Sequence, residues 1–373
     1  MITPISLIRS LPAAVGRSQP GFLIFYVTNR CNFRCNFCFY GEEIAKGQKS
    51  DELTLEEIEK IAKTTGPLLQ LSLTGGEPFL RKSISNIIDI FIHHTKPWYI
   101  TIPTNASMPD KMARVLEKVL PKYPNIAFRI TISIEGIGKE HDDIRSMPGS
   151  FDNIIESHRL LSELRERFPN LVLDANSVFT ARSENTLKET LGFLDKNFNF
   201  DNLSITYARG DISDESLKTT SRKKYEEINQ FLESIKRSKE TRFLYPVWRG
   251  VRDISRKNLI RTVFDDEFVA PCVAGRKIIV IGETGEVLPC EILGKSMGNL
   301  RDYDYDLKRL LASVENDELR KWIVESKCKC SFECALTANV AWNIASYPKL
   351  LVSSLKNIGQ KESNNTTPRS STA

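Results

Sequence analysis

The sequence predicts an α/β fold of parallel βαβ units, a partial or complete barrel or an open sheet, followed by a second and smaller unit that carries cysteines. Three observations predict it. Between Phe22 and Ala208, six short apolar runs alternate with five amphipathic helical stretches. The runs are nearly continuous in hydrophobic residues, as strands covered on both faces are. At 373 residues, 41% of them hydrophobic, the chain is long enough to bury one large α/β core with an appended unit.

The predicted strands are Phe22–Val27, Leu69–Thr74, Tyr99–Pro103, Phe128–Ile134, Leu171–Val178 and Leu203–Tyr207. Helices are expected between them at Thr54–Lys63, Lys82–His93, Asp110–Leu120, Phe151–Phe168 and Glu184–Lys196. A further helix, Arg222–Lys236, closes this first domain, which spans 21–240. Pro246 and Gly250 mark a crossing segment, so 241–270 is read as a linker. The second domain, 271–345, opens with a hairpin: Lys277–Ile281 turns through Glu283-Thr284-Gly285-Glu286 into Val287–Leu288. Residues Asp306–Glu325 then read as helix. Residues 1–20 form a short leader, and the 346–373 tail ends in a Ser/Thr/Asn-rich stretch expected to be disordered.

Composition removes several classes of function. No stretch reaches the roughly 20 consecutive apolar residues of a spanning helix, and the leader has no signal-peptide core. The eight cysteines fall into two tight groups, 31/35/38 and 272/290/328/330/334, which in a reducing compartment means metal, not disulfides. A cytoplasmic protein is expected. The net charge of +5 is uneven: Lys218–Arg261 holds 13 Lys and Arg against 5 Asp and Glu. That segment is either a solvated helix or a contact surface for an acidic or phosphorylated partner. No nucleic-acid partner is expected.

Cys31, Cys35 and Cys38 form C-x3-C-x2-C directly after the first predicted strand. Four-iron clusters take four thiolates, so three close cysteines with no fourth nearby imply one iron without a protein ligand. An open coordination position is where a substrate or cofactor binds. Beyond the carboxyl end of a strand is also where parallel α/β folds place ligands. Zinc is the alternative, but three sulfurs with His93 as the nearest fourth ligand make a poor tetrahedron.

The run Cys31-Asn32-Phe33-Arg34-Cys35-Asn36-Phe37-Cys38, with aromatic Phe37 before the last cysteine, resembles the cluster motif of the radical S-adenosylmethionine (radical SAM) superfamily. Thr74-Gly75-Gly76-Glu77-Pro78, 36 residues beyond Cys38, is similar to that superfamily's GGE motif. The resemblance implies a partial (β/α)6 TIM-type barrel with a small C-terminal iron–sulfur domain. It also implies a [4Fe-4S] cluster on Cys31, Cys35 and Cys38, whose open iron chelates S-adenosylmethionine, and an external one-electron reductant of flavodoxin or ferredoxin type. By the same resemblance Gly75, Gly76 and Glu77 hold the methionine amino group, Glu77 pairing with the ammonium. Ser133 and Arg145 are directed at the methionine carboxylate, Asn176 at the ribose, and Phe37 and Thr104 line the cofactor, with Asn105 beside Thr104. Each has a plain alternative: Ser133 as a buried hydroxyl, Arg145 as a surface pair, Asn105 as a turn residue.

Cys272 and Cys290 enclose the predicted hairpin as C-x12-G-x4-C, and Cys328, Cys330 and Cys334 follow a helical spacer. This resembles the SPASM or twitch extension of many radical SAM enzymes, which carries auxiliary iron–sulfur clusters. A full SPASM domain has seven cysteines and two clusters; five here imply one auxiliary [4Fe-4S] cluster, expected on Cys272, Cys290, Cys330 and Cys334 with Cys328 in competition. Structural zinc is the alternative. Tyr207, Arg209 and Glu291 are the candidate substrate-pocket residues. The substrate, a peptide or an acidic small molecule among other classes, is not legible. The competing reading of the whole chain, a non-catalytic iron–sulfur or zinc scaffold or an electron carrier, leaves the GGE-type motif without use.

Overall fold

The structure, a computed structural model, describes residues 19–46, 51–235 and 245–354. The first half alternates strand and helix. β1 (Phe22–Thr28) leads through the cysteine loop to α1 (Gly41–Lys46) and α2 (Leu55–Thr65). Then follow β2 (Gln70–Gly75), α3 (Ile84–Thr95), β3 (Tyr99–Thr104), α4 (Pro109–Val119) and β4 (Ala127–Ser133). Next come α5 (Lys139–Arg145), α6 (Ser150–Arg167), β5 (Leu171–Phe179), α7 (Leu187–Asn197) and β6 (Asn202–Tyr207). The second half holds α8 (Arg222–Ser234), α9 (Tyr245–Phe264), β7 (Ile278–Ile281), β8 (Glu286–Leu288) and β9 (Gly298–Asn299). It ends with α10 (Leu307–Leu311), α11 (Val314–Glu325) and α12 (Glu333–Trp342).

The strands form one sheet in the order β6-β5-β4-β3-β2-β1-β7-β8-β9. β1 to β6 pair in parallel, each joined to the next by helix, which is the partial (β/α)6 arrangement expected. Every residue of β1 is buried because the sheet covers it on both sides and helices cover its faces. Helices start where the sequence offers a cap: Thr54 accepts from Glu57 N–H while the Glu57 side chain accepts from Thr54 N–H, so α2 has a complete capping box. The register sets the site. Thr28 lies level with Gly75, and Ser133, Asn176 and Ser204 form one row across β4, β5 and β6.

Three features depart from expectation. The hairpin does not begin a separate sheet: β7 pairs in parallel with the free edge of β1, and β8 and β9 extend the same sheet antiparallel. The stretch read as a linker carries the 20-residue helix α9. Pro246 falls in its first turn, where no intrahelical N–H is required. The helix expected over Asp306–Glu325 is broken between α10 and α11 by Ser313, whose hydroxyl caps α11 by accepting from Asn316 N–H. Residues 1–18 of the leader and 355–373 of the tail lie outside the described residues. Among the described residues no helix is long and apolar enough to cross a membrane.

Candidate active site

The loop after β1 folds back on itself through Cys38 N–H donating to Cys35 O (3.2 Å) and Gly41 N–H donating to Cys38 O (3.1 Å). This brings Cys31, Cys35 and Cys38 close enough to act on one another electrostatically. Burial pushes all three thiols up, Cys31 to about 11. Thiolates therefore form here when a metal takes the proton's place. Three soft sulfur donors on one loop, with no fourth cysteine among them, fit a four-iron cluster with one open iron. Among the described residues no three His, Cys, Asp or Glu side chains converge on a single-ion site.

The two glycines of the second motif serve the chain before any ligand. A Cβ on Gly75 would stand 2.1 Å from Thr28 O, and one on Gly76 would stand 2.2 Å from Arg30 O. Gly76 N–H donates to Thr28 O and Glu77 N–H to Arg30 O, both at 2.8 Å, so β2 is fastened to the start of the cysteine loop. Gly75 also has φ 127°, which L side chains rarely adopt.

Glu77, expected to face an ammonium group, is instead turned into the protein, 1% exposed. Its Oε1 accepts from Phe79 N–H (3.0 Å) and Thr104 Oγ1 (2.9 Å), and its Oε2 from Asn105 N–H (2.8 Å). The reason is local: Glu77 caps the short 3-10 turn at Pro78–Leu80 and ties it to the end of β3. Burial raises its carboxyl to about 6 against the pull of those donors. Thr104 is occupied by the same bond, while the Asn105 side chain reaches Asn32 (2.9 Å) and stands 4.0 Å from Cys31 Sγ.

Arg145 is drawn into the site by a residue that sequence reasoning passed over. Glu135, at the end of β4, is 1% exposed and accepts from Arg145 NH2 (2.5 Å) and from Val178 N–H (2.7 Å). Arg145 NH1 points at Cys35 Sγ (3.7 Å), its guanidinium lies 5.3 Å from the Phe37 ring centre, and its buried Nε has no partner. The expected anion-binding arginine is therefore held beside the cysteine loop with one donor free. His141 Nδ1 accepts from Glu135 N–H (3.1 Å); burial keeps this ring neutral, at about 3. Asn176 donates to Thr206 Oγ1 (3.0 Å) and accepts from Ser204 (2.9 Å), so β6 occupies the amide expected to meet ribose. Ser133 stands beside it in the row.

The second cysteine group gathers on the other side of this loop. Cys330 acts electrostatically on Cys272, Cys290 and Cys328, and burial pushes Cys290 to about 11 and Cys330 to about 12. The electrostatic neighbours of Cys334 are different: Glu291, Arg209 and Glu333. Those three side chains form a charged cluster between the two cysteine groups. Arg209 NH2 donates to Glu291 Oε2 (2.9 Å), and its NH1 lies 3.6 Å from Glu333 Oε2. Tyr26 Oη donates to Glu291 Oε1 (2.8 Å), and Tyr207 N–H donates to Glu333 Oε1 (2.5 Å). The Arg209 guanidinium is sandwiched between Phe39 (4.8 Å) and Phe332 (4.9 Å). Arg209 Nε and Glu333 Oε2 are left without hydrogen-bond partners. The Tyr207 side chain is packed, its hydroxyl donating to Lys218 O (2.8 Å), so only its backbone serves the cluster. Glu333 was not singled out from sequence, although its place beside Cys334 was the available signal.

Residues 25–194 match the model of the radical SAM superfamily. The chain is 30% identical over 137 residues to the GTP 3',8-cyclase of Peptoclostridium acidaminophilum, covering 36% of this chain and 40% of that one. It is 29% identical over 137 residues to the GTP 3',8-cyclase of Campylobacter fetus subsp. fetus, covering 36% and 41%. The chain thus spans about two fifths of the length of the curated relatives it matches. Among solved structures, it resembles Streptococcus suis SuiB bound to S-adenosylmethionine: TM-score 0.59, 18% identity, 85% of this chain and 72% of that one. It also resembles native anSMEcpe with bound AdoMet: TM-score 0.56, 18% identity, 91% and 99% coverage. At such identities the likeness is one of fold.

Proposed function

We propose that this chain is a radical SAM enzyme that modifies a substrate held between two iron–sulfur sites, one in a core of residues 21–240 and one in a unit of residues 271–345. The observation that carries the proposal is the position of Arg209. It stacks on Phe39, one residue past Cys38, and on Phe332, midway between Cys330 and Cys334, so one charged cluster bridges the two cysteine groups.

In this reading Cys31, Cys35 and Cys38 hold a [4Fe-4S] cluster, and Cys272, Cys290 and Cys330 hold an auxiliary one with Cys328, in place of the expected Cys334, as fourth ligand, because Cys334 has Glu291, Arg209 and Glu333 for neighbours. The bound cluster and S-adenosylmethionine supply a 5'-deoxyadenosyl radical that takes a hydrogen atom from the substrate. Arg145, fixed by Glu135, keeps its free Nε for an anionic group of the cofactor. The Gly75–Gly76 pair holds the cysteine loop in place, and Glu77 braces that junction. Arg209 Nε offers a donor and Glu333 Oε2 an acceptor to the substrate; an amide presents the complementary pair, which favours a peptide. SuiB, a fold neighbour, has been solved bound to its precursor peptide SuiA, with TM-score 0.56 and 19% identity. The electron comes from an external one-electron donor. Free thiols in this number suit a reducing compartment, the cytoplasm.

The test begins with anaerobic reconstitution, which should load about eight irons and eight sulfides as two four-iron clusters. Changing Cys31, Cys35 and Cys38 together to Ala should remove about half. With a strong reductant and S-adenosylmethionine the protein should then release 5'-deoxyadenosine. Stoichiometric zinc without iron would favour a metal-binding scaffold. Clusters without 5'-deoxyadenosine would count against the proposed chemistry. Incubation with peptide and metabolite extracts from deuterated medium finds the substrate class, because deuterium in 5'-deoxyadenosine marks the fraction that donates hydrogen.

A further inference from the structure

A second site lies at the opposite end of β6 from the cysteines. On α9, Arg249, Arg252 and Arg256 follow at spacings that place them on one helical face. They line a cleft of about 50 Å³ between the end of α8 and Leu203 at the start of β6. At about 10–15 Å³ for each water-sized centre, that is room for roughly four such centres, or one tetrahedral oxyanion.

Among the described residues the cleft carries more positive than negative charge. Glu233 and Asp253 also line it, so three cations meet two carboxylates. Neither carboxylate forms an ion pair with a described arginine, and no hydrogen bond joins the three guanidiniums to another described residue. Burial, with Arg252 beside it, holds the Arg256 guanidinium below its usual value even though Asp253 and Glu233 pull the other way. All three arginines are half-buried; like charges drawn together and partly out of water are costly, and a bound anion would offset that cost. Arginine forks match phosphate geometry in particular.

We propose that this arginine cleft binds a phosphate-type oxyanion, at a site separate from the radical chemistry. The rival is structural: the guanidiniums face the end of α8, where they would offset its C-terminal dipole. The two readings differ in sign. A dipole partner stabilises the chain without any ligand, whereas an under-compensated cation does so only with its anion.

The full, cluster-loaded chain is melted under anaerobic conditions in increasing inorganic phosphate, against sodium chloride at matched ionic strength, with calorimetric titration alongside. Phosphate should raise the melting temperature in a saturable way that chloride does not reproduce. Arg252→Gln and Arg256→Gln should each weaken phosphate binding about tenfold, the loss of one charge-assisted contact. In chloride, Arg256→Gln should be at least as stable as the parent. Basal 5'-deoxyadenosine formation should be unchanged in both variants. Arg249→Gln, at the start of the helix, gives an independent reading should either inner variant fail to fold. Competition by a phosphomonoester extends the occupant to esterified phosphate, and its absence restricts the site to the free ion. Equal melting in phosphate and matched chloride would overturn the proposal. So would a destabilised Arg256→Gln chain whose phosphate response is intact, which would assign the arginines to the end of α8.

Discussion

Glu77 shows how a motif residue can act through the protein, since its carboxylate is filled by three donors from two chain segments. Glu77→Ala would leave Phe79 N–H, Asn105 N–H and the Thr104 hydroxyl short of an acceptor. Each buried group left unpaired costs about 1–3 kcal/mol. The metal-free chain should therefore melt several degrees lower than the parent, with no cofactor present. A residue that served only to meet an ammonium group would leave that melting temperature where it was, and differential scanning calorimetry separates the two. The sequence revealed that a carboxylate stands at this turn, because Gly-Gly-Glu is local in the chain. Its partners are not local: Thr104 and Asn105 arrive from the next strand, so the inward turn was invisible. The same limit hid Glu135, whose importance comes from Arg145 ten positions on and from Val178 on β5. Cys31, Cys35 and Cys38 were legible for the opposite reason, since one short loop supplies all three donors.

At the scale of elements, the six parallel strands and their helices could be read from period and apolar runs, because each must bury its own face. α9 could not, since Pro246 and Gly250 resemble breakers. Gly250 is instead a packing position: a Cβ there would meet Leu350 at 3.0 Å and Ser354 at 3.1 Å. A polar contact of half-buried His158 makes the seam between α6 and the α7–β6 turn sensitive to pH. His158 Nε2 accepts from Asn199 N–H (3.2 Å), and its ring packs edge-on against Phe198 (4.9 Å) and Phe200 (4.8 Å). Burial, with Arg165 nearby, lowers His158 to about 4, below its ordinary 6.5. The folded state thus prefers the neutral ring. This contribution is fully present above pH about 6.5 and is lost as pH falls towards 4, because the unfolded chain takes up the proton first. The metal-free chain should lose stability between pH 7 and 5 in urea titrations. His158→Phe should flatten that slope while costing about 1 kcal/mol for the lost acceptor. An unchanged slope would mean that His158 titrates as it does in water.

Across the whole molecule, the order of the sheet decides how the two cysteine groups depend on each other. A separate C-terminal domain behind a linker would unfold by itself and leave the barrel intact. Here β7 pairs with β1 over Phe22↔Ile278 to Phe25↔Ile281, and all four residues of β7 are buried. Tyr305 Oη donates to Glu57 on α2 (2.5 Å), and Leu53 N–H donates to Glu283 O (2.7 Å), so contacts from the second half reach back to the first. Shared backbone pairing and shared core make partial opening expensive. The metal-free chain should therefore unfold in a single urea transition in which far-ultraviolet circular dichroism and tryptophan fluorescence coincide. The probes are well placed, because Trp98 N–H donates to Leu69 O in the barrel while Trp342 packs on Phe22 from α12. Ile279→Asp, which puts a charge at a fully buried position in β7, should lower the midpoint for both signals together. It should also reduce iron loading at both cysteine groups, although Cys31, Cys35 and Cys38 are untouched. Two separated transitions, or a variant that loses only the iron of the second group, would show that the halves are independent despite their common sheet.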